Sequence, residues 1–304
     1  MNASLDTFSH VHPTVRHFTT SDKTTRIRAV NTDQWVDYPA ATAAIQQLFK
    51  IIDMPKRTRM PSVLFWASSN MGKSSIQDRF MDLIYQRTAD DPDLDWPGAI
   101  RLQANDELTE KRLYNDILSA IGVPSPITTA SRLQAMVIRH LEHRRTRLIL
   151  IDEIQRITDL ADKQQRVVMN ALKYLSNRLS LGYAGFGSGE AKGLVQSDPH
   201  LTQRFNIIEL PQWKRKERWA AEAVTERISY FPLRRPTEVD REFMAVLQHH
   251  SETLIGRMFE LLQEAAVLAI EGEERLTPAL IDATSREFRS SAQGKSGGSN
   301  RGKC

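Results

Sequence analysis

The sequence predicts an α/β fold with a parallel central sheet, followed by a small C-terminal helical domain. Three observations lead to this prediction. Between residues 38 and 210, short apolar runs alternate with stretches of helical period, which is the pattern of βαβ units. The run Leu148–Ile151 consists of consecutive aliphatic residues, which is typical of a strand buried on both faces of a parallel sheet. After Pro211 only stretches of helical period remain, and these predict a helical bundle.

The individual elements follow from the spacing of apolar residues and from the residues that end helices. The first helix has Ala41, Leu48 and Ile52 on one face and ends before Pro55. The predicted strands are Ser62–Trp66, Ala99–Leu102, Leu148–Ile151, Gly182–Phe186 and Asn206–Leu210. The predicted helices are Tyr38–Ile52, Ser75–Tyr85, Leu108–Ile121, Ser131–His143, Val167–Leu179, Arg218–Ile228, Glu238–His249, Leu254–Ile270 and Pro278–Phe288.

The same reading divides the chain into four parts. Residues 1–34 are polar and weakly periodic, and they predict an extension that wraps the domain or becomes ordered on binding. The α/β domain is predicted at residues 35–211 and a helical lid domain at residues 212–289. Residues 290–304 are rich in serine, glycine and lysine, which predicts a flexible tail.

The composition is that of a soluble globular protein, with 40% hydrophobic and 26% charged residues. No apolar run approaches the roughly 20 residues of a membrane-spanning helix, and the N-terminus lacks the apolar core of a signal peptide. We therefore expect a cytoplasmic protein. The single cysteine, Cys304, excludes an intrachain disulfide and a cysteine-based metal site.

The charge is mildly basic, with a formal net charge of +4 and a pI near 9.2. This balance permits contact with a phosphate backbone but does not by itself establish it. The basic residues form two local clusters, each interpreted as a solvated face or a helix end: Arg139, Arg144, Arg145 and Arg147, and Lys214, Arg215, Lys216 and Arg218.

A phosphate-binding loop is predicted between the strand Ser62–Trp66 and the next helix. It meets the Walker A pattern except at its first glycine, which is Ala67 here; alanine is compatible if this position does not need a positive φ. Lys73 is expected to contact the β- and γ-phosphates of ATP, and the Ser74 hydroxyl to bind Mg²⁺. The loop would hold phosphate through the backbone N–H groups of Ser69, Asn70, Met71, Gly72, Lys73, Ser74 and Ser75.

A pair of carboxylates follows the buried strand Leu148–Ile151. Asp152 and Glu153 would emerge at the carboxyl end of this strand, where α/β folds bind ligands. This arrangement suits a Walker B motif, in which Asp152 holds Mg²⁺ through water and Glu153 polarises the attacking water. Either motif alone is a weak signal, but together in one βαβ series they predict a nucleotide-binding protein.

Three further residues are candidates for sensing or completing the site. Ser188 follows the strand Gly182–Phe186 and either senses the γ-phosphate or only caps the next helix. Arg204 precedes the last strand and is a candidate arginine finger for a neighbouring subunit, with a surface salt bridge as the alternative. Arg257 opens a long helix of the second domain and is a candidate second sensor, or an ordinary arginine at a helix start.

The order of these parts resembles the TniB/TnsC group of transposition ATPases. The resemblance covers roughly residues 10–288. It is carried by the Gly72-Lys73-Ser74 loop together with the segments Trp35-Val36-Asp37-Tyr38-Pro39, Arg59-Met60-Pro61, Ile151-Asp152-Glu153, Gly187-Ser188-Gly189-Glu190-Ala191 and Gln203-Arg204-Phe205.

This resemblance implies an AAA+ P-loop ATPase that uses ATP and Mg²⁺ and forms a ring or helical filament. It further implies assembly on double-stranded target DNA in the ATP state, recruitment of a DDE transposase, and control of ATP hydrolysis by a target-selection protein. The resemblance gives the phosphate and Mg²⁺ roles to Lys73 and Ser74, and the Walker B roles to Asp152 and Glu153. It makes Ser188 the first sensor and Arg204 the arginine finger.

If subunits wind around a duplex, loops on the inner face should contact the DNA backbone without regard to base sequence. The loop and helix start after the second strand offer Lys111 and Arg112. The next loop offers Thr128, Thr129 and Arg132. A solvated helix face is the alternative for either set.

Two other functions remain open from the sequence. One is an AAA+ helicase loader of the DnaC/IstB type, which has a similar core but a replicative helicase as its partner. The other is a DNA-bound adaptor in which ATP joins subunits without being hydrolysed. Glu153 argues against this adaptor, because such a site has no need of a carboxylate that activates water.

Overall fold

The chain divides into two compact units. The computed structural model describes residues 8–91, 96–196, 202–213 and 217–286. One unit is Ala40–Pro211, and the other joins Met1–Pro39 to Gln212–Cys304. The predicted tail at residues 290–304, the end of the last predicted helix at Phe288, and the basic residues 214–216 lie outside the described residues.

The first unit contains the predicted parallel sheet, which is confirmed. Its strands are β1 (Ser62–Trp66), β2 (Ala99–Gln103), β3 (Leu148–Asp152), β4 (Gly182–Gly187) and β5 (Phe205–Glu209). They are arranged in the order β2-β3-β4-β1-β5, and every neighbouring pair is parallel. The carboxyl ends of β1, β3 and β4 therefore lie side by side at one edge of the sheet.

Helices cover this sheet because its three central strands, β3, β4 and β1, are apolar on both faces. All five residues of β3 are buried, and its Ile149 and Ile151 share a core cluster with Tyr114, Leu133 and Leu172 of three helices. Fully burying each such side chain contributes about 1.5–3 kcal/mol. The helices around the sheet are Pro39–Asp53, Lys73–Asp90, Glu110–Ala120, Ala130–His143, Asp162–Leu179 and Gly189–Gln196, with a 3₁₀ turn at Ile154–Asp159.

The glycines of β4 let other parts of the chain approach it closely. A Cβ atom on Gly185 would lie 2.9 Å from the Cδ1 atom of Ile154. A Cβ atom on Gly187 would lie 2.5 Å from the Oε1 atom of Gln155. Both contacts are too short for a real side chain, so glycine at these positions allows the turn after β3 to lie against β4. This turn was not predicted from the sequence.

The second unit is helical. Its described helices are Pro13–Arg16, Lys23–Val30, Arg218–Ser229, Arg241–Ser251 and Ile255–Glu271, with a 3₁₀ turn at His17–Thr20 and helical residues 278–286. Part of the segment predicted as an extension thus forms helices that belong with the C-terminal ones. Arg26 joins them: its buried guanidinium donates to the Pro232 carbonyl oxygen and forms an ion pair with Glu274.

An aromatic cluster lies in this second unit and includes part of the Trp35–Pro39 segment. The ring centroid of Trp213 lies 5.4 Å from Tyr38, 4.8 Å from Trp219 and 6.0 Å from Phe259. Burial raises the pKa of Tyr38. Large aromatic side chains contribute strongly to a core, so this cluster stabilises the helical unit. Within the described ranges, every helix is too short or too polar to cross a lipid bilayer.

Candidate nucleotide site

The predicted phosphate loop lies between β1 and the helix Lys73–Asp90. Gly72 immediately precedes this helix with a left-handed φ of 74°, and Asn70 is also left-handed, at 59°. These two residues turn the chain into the first turn of the helix, where free backbone N–H groups attract anions. The side chain of Met71 is buried in the core, whereas Ser69 and Ser75 are exposed.

Ala67 fits the position at which the Walker A pattern has glycine. Its φ is not left-handed, so the backbone there does not require glycine. Its methyl group is buried, and its N–H donates to the carbonyl oxygen of Gly187 at 3.1 Å. The alanine therefore packs against the sheet without backbone strain.

Lys73 lies over the loop and close to the carboxylates. Its Nζ atom donates to the carbonyl oxygens of Ala67 at 3.0 Å and Ser68 at 2.8 Å. Burial lowers the pKa of Lys73, while the charges of Glu153 and Asp152 raise it. The hydrogen bonds of this ammonium group go to backbone oxygens, which a more negative ligand such as a phosphate would replace.

The structure brings Ser74 and Asp152 together, although they are far apart in sequence. The Ser74 hydroxyl donates to Oδ2 of Asp152 at 3.3 Å. The same oxygen accepts from the guanidinium of Arg101 on β2, also at 3.3 Å, and Arg101 forms a second ion pair with Asp78. Asp152 is buried at the end of β3, so its carboxylate is held in one position. A hydroxyl beside a fixed carboxylate is a suitable ligand set for Mg²⁺.

Glu153 is held in place by Gln155, which also contacts the end of β4. Glu153 has a left-handed φ of 51°, a conformation that costs about 1–3 kcal/mol for such a residue. The side-chain amide of Gln155 donates to Oε2 of Glu153 at 2.5 Å. Its oxygen accepts the backbone N–H of Ser188 at 3.1 Å. Gln155 therefore bridges the predicted base and the predicted sensor strand, while the Ser188 hydroxyl donates to Glu190 at 3.1 Å.

A cleft of about 770 Å³ opens beside these residues. Ser74, Asp152 and Glu153 line it together with Arg112, one of the candidate DNA contacts. Arg112 also forms an ion pair with Asp116 at 3.0 Å. Lys111, the other candidate of this pair, is exposed and does not line the cleft.

The remaining candidates either do not line this cleft or belong to the other unit. In the second loop, Arg132 is exposed, and Thr129 accepts its backbone N–H as a helix cap at 3.4 Å, next to half-buried Thr128. Arg257 belongs to the helical unit, where it forms an ion pair with Glu252 at 2.6 Å.

Arg204 lies at the opposite end of the sheet from the phosphate loop. The next residue, Phe205, pairs with Ser62 at the start of β1, and the loop begins after the other end of β1. At roughly 3.3 Å per residue, this strand separates them by about 16 Å, beyond the reach of an arginine side chain. Arg204 donates to the side chain of Asn177 at 2.9 Å, and it is too far from the phosphate loop of its own subunit to contact it.

Two residues of the site were not singled out from the sequence, namely Arg101 and Gln155. Gln155 had one available signal, because it comes two residues after the predicted base Glu153. Arg101 had none, because its contact with Asp152 depends on the register in which Gln103 of β2 pairs with Asp152 of β3.

A comparison of the sequence with models of protein families shows the family of this chain. The family described as Bacterial TniB protein matches residues 26–215, which is well over half of the chain. The chain belongs to the TniB family. The match includes the phosphate loop, the Asp152–Glu153 pair and Arg204. A search of curated proteins gave no match.

Solved structures share the fold. The Aeropyrum pernix Orc1 protein in complex with DNA is 15% identical, with a TM-score of 0.61 over 86% of this chain and 69% of that chain. Drosophila ORC bound to DNA is 14% identical, with a TM-score of 0.61 over 91% and 69%. Domain III of the Thermotoga maritima replication initiation protein DnaA is 14% identical, with a TM-score of 0.54 over 84% and 94%. The TniB chain therefore has an AAA+ P-loop ATPase fold.

Proposed function

We propose that this TniB protein is an ATPase that assembles on double-stranded target DNA in its ATP state and recruits a DDE transposase. Hydrolysis of ATP, controlled by a target-selection protein, would then regulate the assembly. The observation that carries the proposal is the cluster at the carboxyl edge of the sheet, where Ser74, Asp152 and Glu153 meet beside a phosphate loop. The TniB family supplies the connection to transposition.

The site fits ATP with Mg²⁺. Lys73 and the N–H groups of residues 69–75 would bind the phosphates, and Ser74 and Asp152 would hold the metal, directly and through water. Bound Mg²⁺ would neutralise charge on the β- and γ-phosphates. The 3.3 Å contact between Ser74 and Asp152 supports this assignment, because both oxygens already face the same point.

Hydrolysis would depend on Glu153. Its carboxylate would accept a proton from the attacking water, and Gln155 would keep it oriented while linking it to the N–H of Ser188. An adaptor that only holds ATP has no use for a base held in a left-handed conformation, so the geometry favours hydrolysis over that alternative.

Completion of the site would require a second copy of the chain. Because Arg204 lies at the far end of the sheet, it would contact the γ-phosphate of a neighbouring subunit rather than its own. Arg257 would report the nucleotide state to the helical unit. Arg204→Ala and Lys73→Ala proteins should each be inactive, but a mixture should regain ATPase activity, because some interfaces then combine an intact Arg204 with an intact Lys73. If the mixture stays inactive, Arg204 does not act across an interface.

The proposal of DNA binding is supported by the TniB family and by two structures of similar fold, Orc1 and Drosophila ORC, which are complexes with DNA. The proposed contacts are Lys111, Arg112, Thr128 and Arg132. Replacing Lys111 and Arg112 by alanine should weaken binding equally on all sequences and flatten its dependence on salt. If the affinity for DNA is unchanged at every salt concentration, Lys111 and Arg112 do not contact DNA.

The decisive experiment measures binding of an arbitrary labelled duplex with ATP, ADP or no nucleotide, at low and high salt. Lys73→Ala is the test variant, and Lys50→Ala, at an exposed lysine of the preceding helix, is the control. Salt-sensitive binding that needs ATP and Lys73 supports the proposal. If no nucleotide state binds DNA, assembly on DNA is excluded, and a protein partner such as a replicative helicase becomes the better candidate.

A further inference from the structure

A second cavity lies at the opposite end of the same sheet. It has a volume of about 980 Å³ and opens where the chain enters β2 and β3, beside Gly98 and Arg147. The nucleotide residues lie at the carboxyl ends of these strands, so the two cavities are separated by the length of the sheet. A volume of this size accommodates a short peptide or a comparable ligand.

The rim of this cavity is strongly basic. Of the lining residues that the structure describes, four are arginines and two are histidines, and one, Asp53, carries a carboxylate. Asp53 is already paired with Arg87 at 2.7 Å. Among the described residues, Arg144 and Arg145 have no carboxylate partner, and the guanidinium of Arg144 stacks 4.1 Å above the ring of Trp96. A stacked guanidinium keeps its N–H edge free for a carboxylate.

The remaining wall of the cavity is apolar. Ile52, Trp96 and Val123 line it and are each partly exposed. A ligand that carried only negative charge would leave this surface in water. A ligand that also offers an apolar side chain would cover it, and about 25 cal/mol is gained for each Å² of apolar surface removed from water.

The fold also restricts the kind of anion. The helix Ala130–His143 ends at the cavity, and the carbonyl end of a helix carries partial negative charge. This charge opposes any anion at the helix end itself, so carboxylates are favoured only where they reach the guanidinium groups of Arg144 and Arg145, which follow the helix. A DNA duplex supplies phosphates without apolar side chains, and its rod shape does not enter a cavity of this size.

We propose that this cavity binds a short acidic segment of a partner protein, in which an apolar side chain covers Ile52, Trp96 and Val123 while carboxylates pair with Arg144 and Arg145. The first basic cluster of the sequence, which was interpreted as a solvated face or helix end, therefore has members in two different environments. Arg144, Arg145 and Arg147 line the cavity, whereas Arg139 is exposed outside it.

The test uses the full chain and a labelled peptide in which leucine and phenylalanine alternate with aspartate and glutamate. The comparison probes are the same peptide with asparagine and glutamine, a polyglutamate peptide, and a DNA duplex as competitor. Arg145→Glu is the rim variant, and Arg139→Glu is a control with the same charge change. Val123→Asp alters the apolar wall, and Val123→Leu keeps it apolar; thermal unfolding of each variant separates lost binding from lost folding.

We expect saturable binding of the acidic, apolar peptide. Affinity should fall about tenfold or more with Arg145→Glu or with the amide peptide, since each removes a charge-assisted hydrogen bond. A similar loss should follow Val123→Asp, since it places a carboxylate in the apolar wall. Arg139→Glu and Val123→Leu should bind as the wild type does. The proposal is overturned if polyglutamate binds equally well, if the duplex displaces the peptide at an Arg145-dependent site, or if no peptide binds saturably.

Discussion

The two ends of the central sheet differ in charge and in construction, although β2 and β3 contribute to both. At the carboxyl end, Asp152 ends β3 and Glu153 follows it, beside a phosphate loop. At the amino end, Arg147 precedes β3 in a cavity with a basic rim. In the proposals made above, the carboxyl end would hold a metal and a nucleotide, and the amino end would hold carboxylates of a partner. One sheet can thus present two sites of opposite charge without sharing a side chain between them.

The largest effect should come from Lys73→Ala, which should abolish binding at the carboxyl end of the sheet and leave binding at the amino end unchanged. Loss of the ammonium group removes the main cation facing the phosphates, so ATP binding should become undetectable in a fluorescent-nucleotide titration. Binding of the acidic peptide at the amino end should not change. Lys50→Ala is the control, and retention of ATP binding by Lys73→Ala would contradict the assignment of the loop.

A smaller loss should follow Gln155→Leu, which keeps the size of the side chain but removes both hydrogen bonds. A bond to a charged group is worth about 1.5–3 kcal/mol, so kcat for ATP hydrolysis should fall about ten- to a hundredfold. KM should change little, because Gln155 contacts Glu153 and Ser188 rather than the phosphate loop. Equal changes in kcat and KM would indicate a general structural role instead.

Gly187→Ala tests the same bridge from the side of β4. The added Cβ atom would lie 2.5 Å from Oε1 of Gln155 and 2.8 Å from the Cβ atom of Ala191, so Gln155 must move. We expect a fall in kcat and a stability loss of about 1–3 kcal/mol in thermal unfolding. The control is Gly189→Ala, where an added Cβ atom meets nothing within 4 Å. If both variants behave alike, close packing at Gly187 does not position Gln155.

The smallest effect should come from Arg145→Glu. This exposed residue lies at the amino end of the sheet and has no contact with the nucleotide residues, so the ATPase rate without a partner should stay within about twofold. Steady-state phosphate release measures this directly. A large change in the ATPase rate would mean that the two ends of the sheet are coupled, which would contradict their description as independent sites.

Patterns within single segments predicted much of the fold and the central carboxylates. The central strand was visible because a strand buried on both faces is a continuous apolar run, here Leu148–Ile151, and Asp152 and Glu153 follow that run directly. Contacts between distant segments could not be predicted in this way. Arg26 reaches Pro232, and Arg101 reaches Asp152 through strand register, without a local pattern that indicates either contact. The amino-end cavity was missed because its apolar wall and basic rim come from several separate segments.

The most direct test of the account compares ATP hydrolysis and ATP binding by the wild type and Glu153→Gln, both with duplex DNA present. The glutamine keeps the shape of the side chain but cannot accept a proton. Its kcat should fall by about 10²–10⁴, with ATP affinity and ATP-dependent DNA binding retained. If Glu153→Gln hydrolyses ATP as fast as the wild type, Glu153 is not the base, and the carboxyl end of the sheet does not carry the chemistry proposed for it.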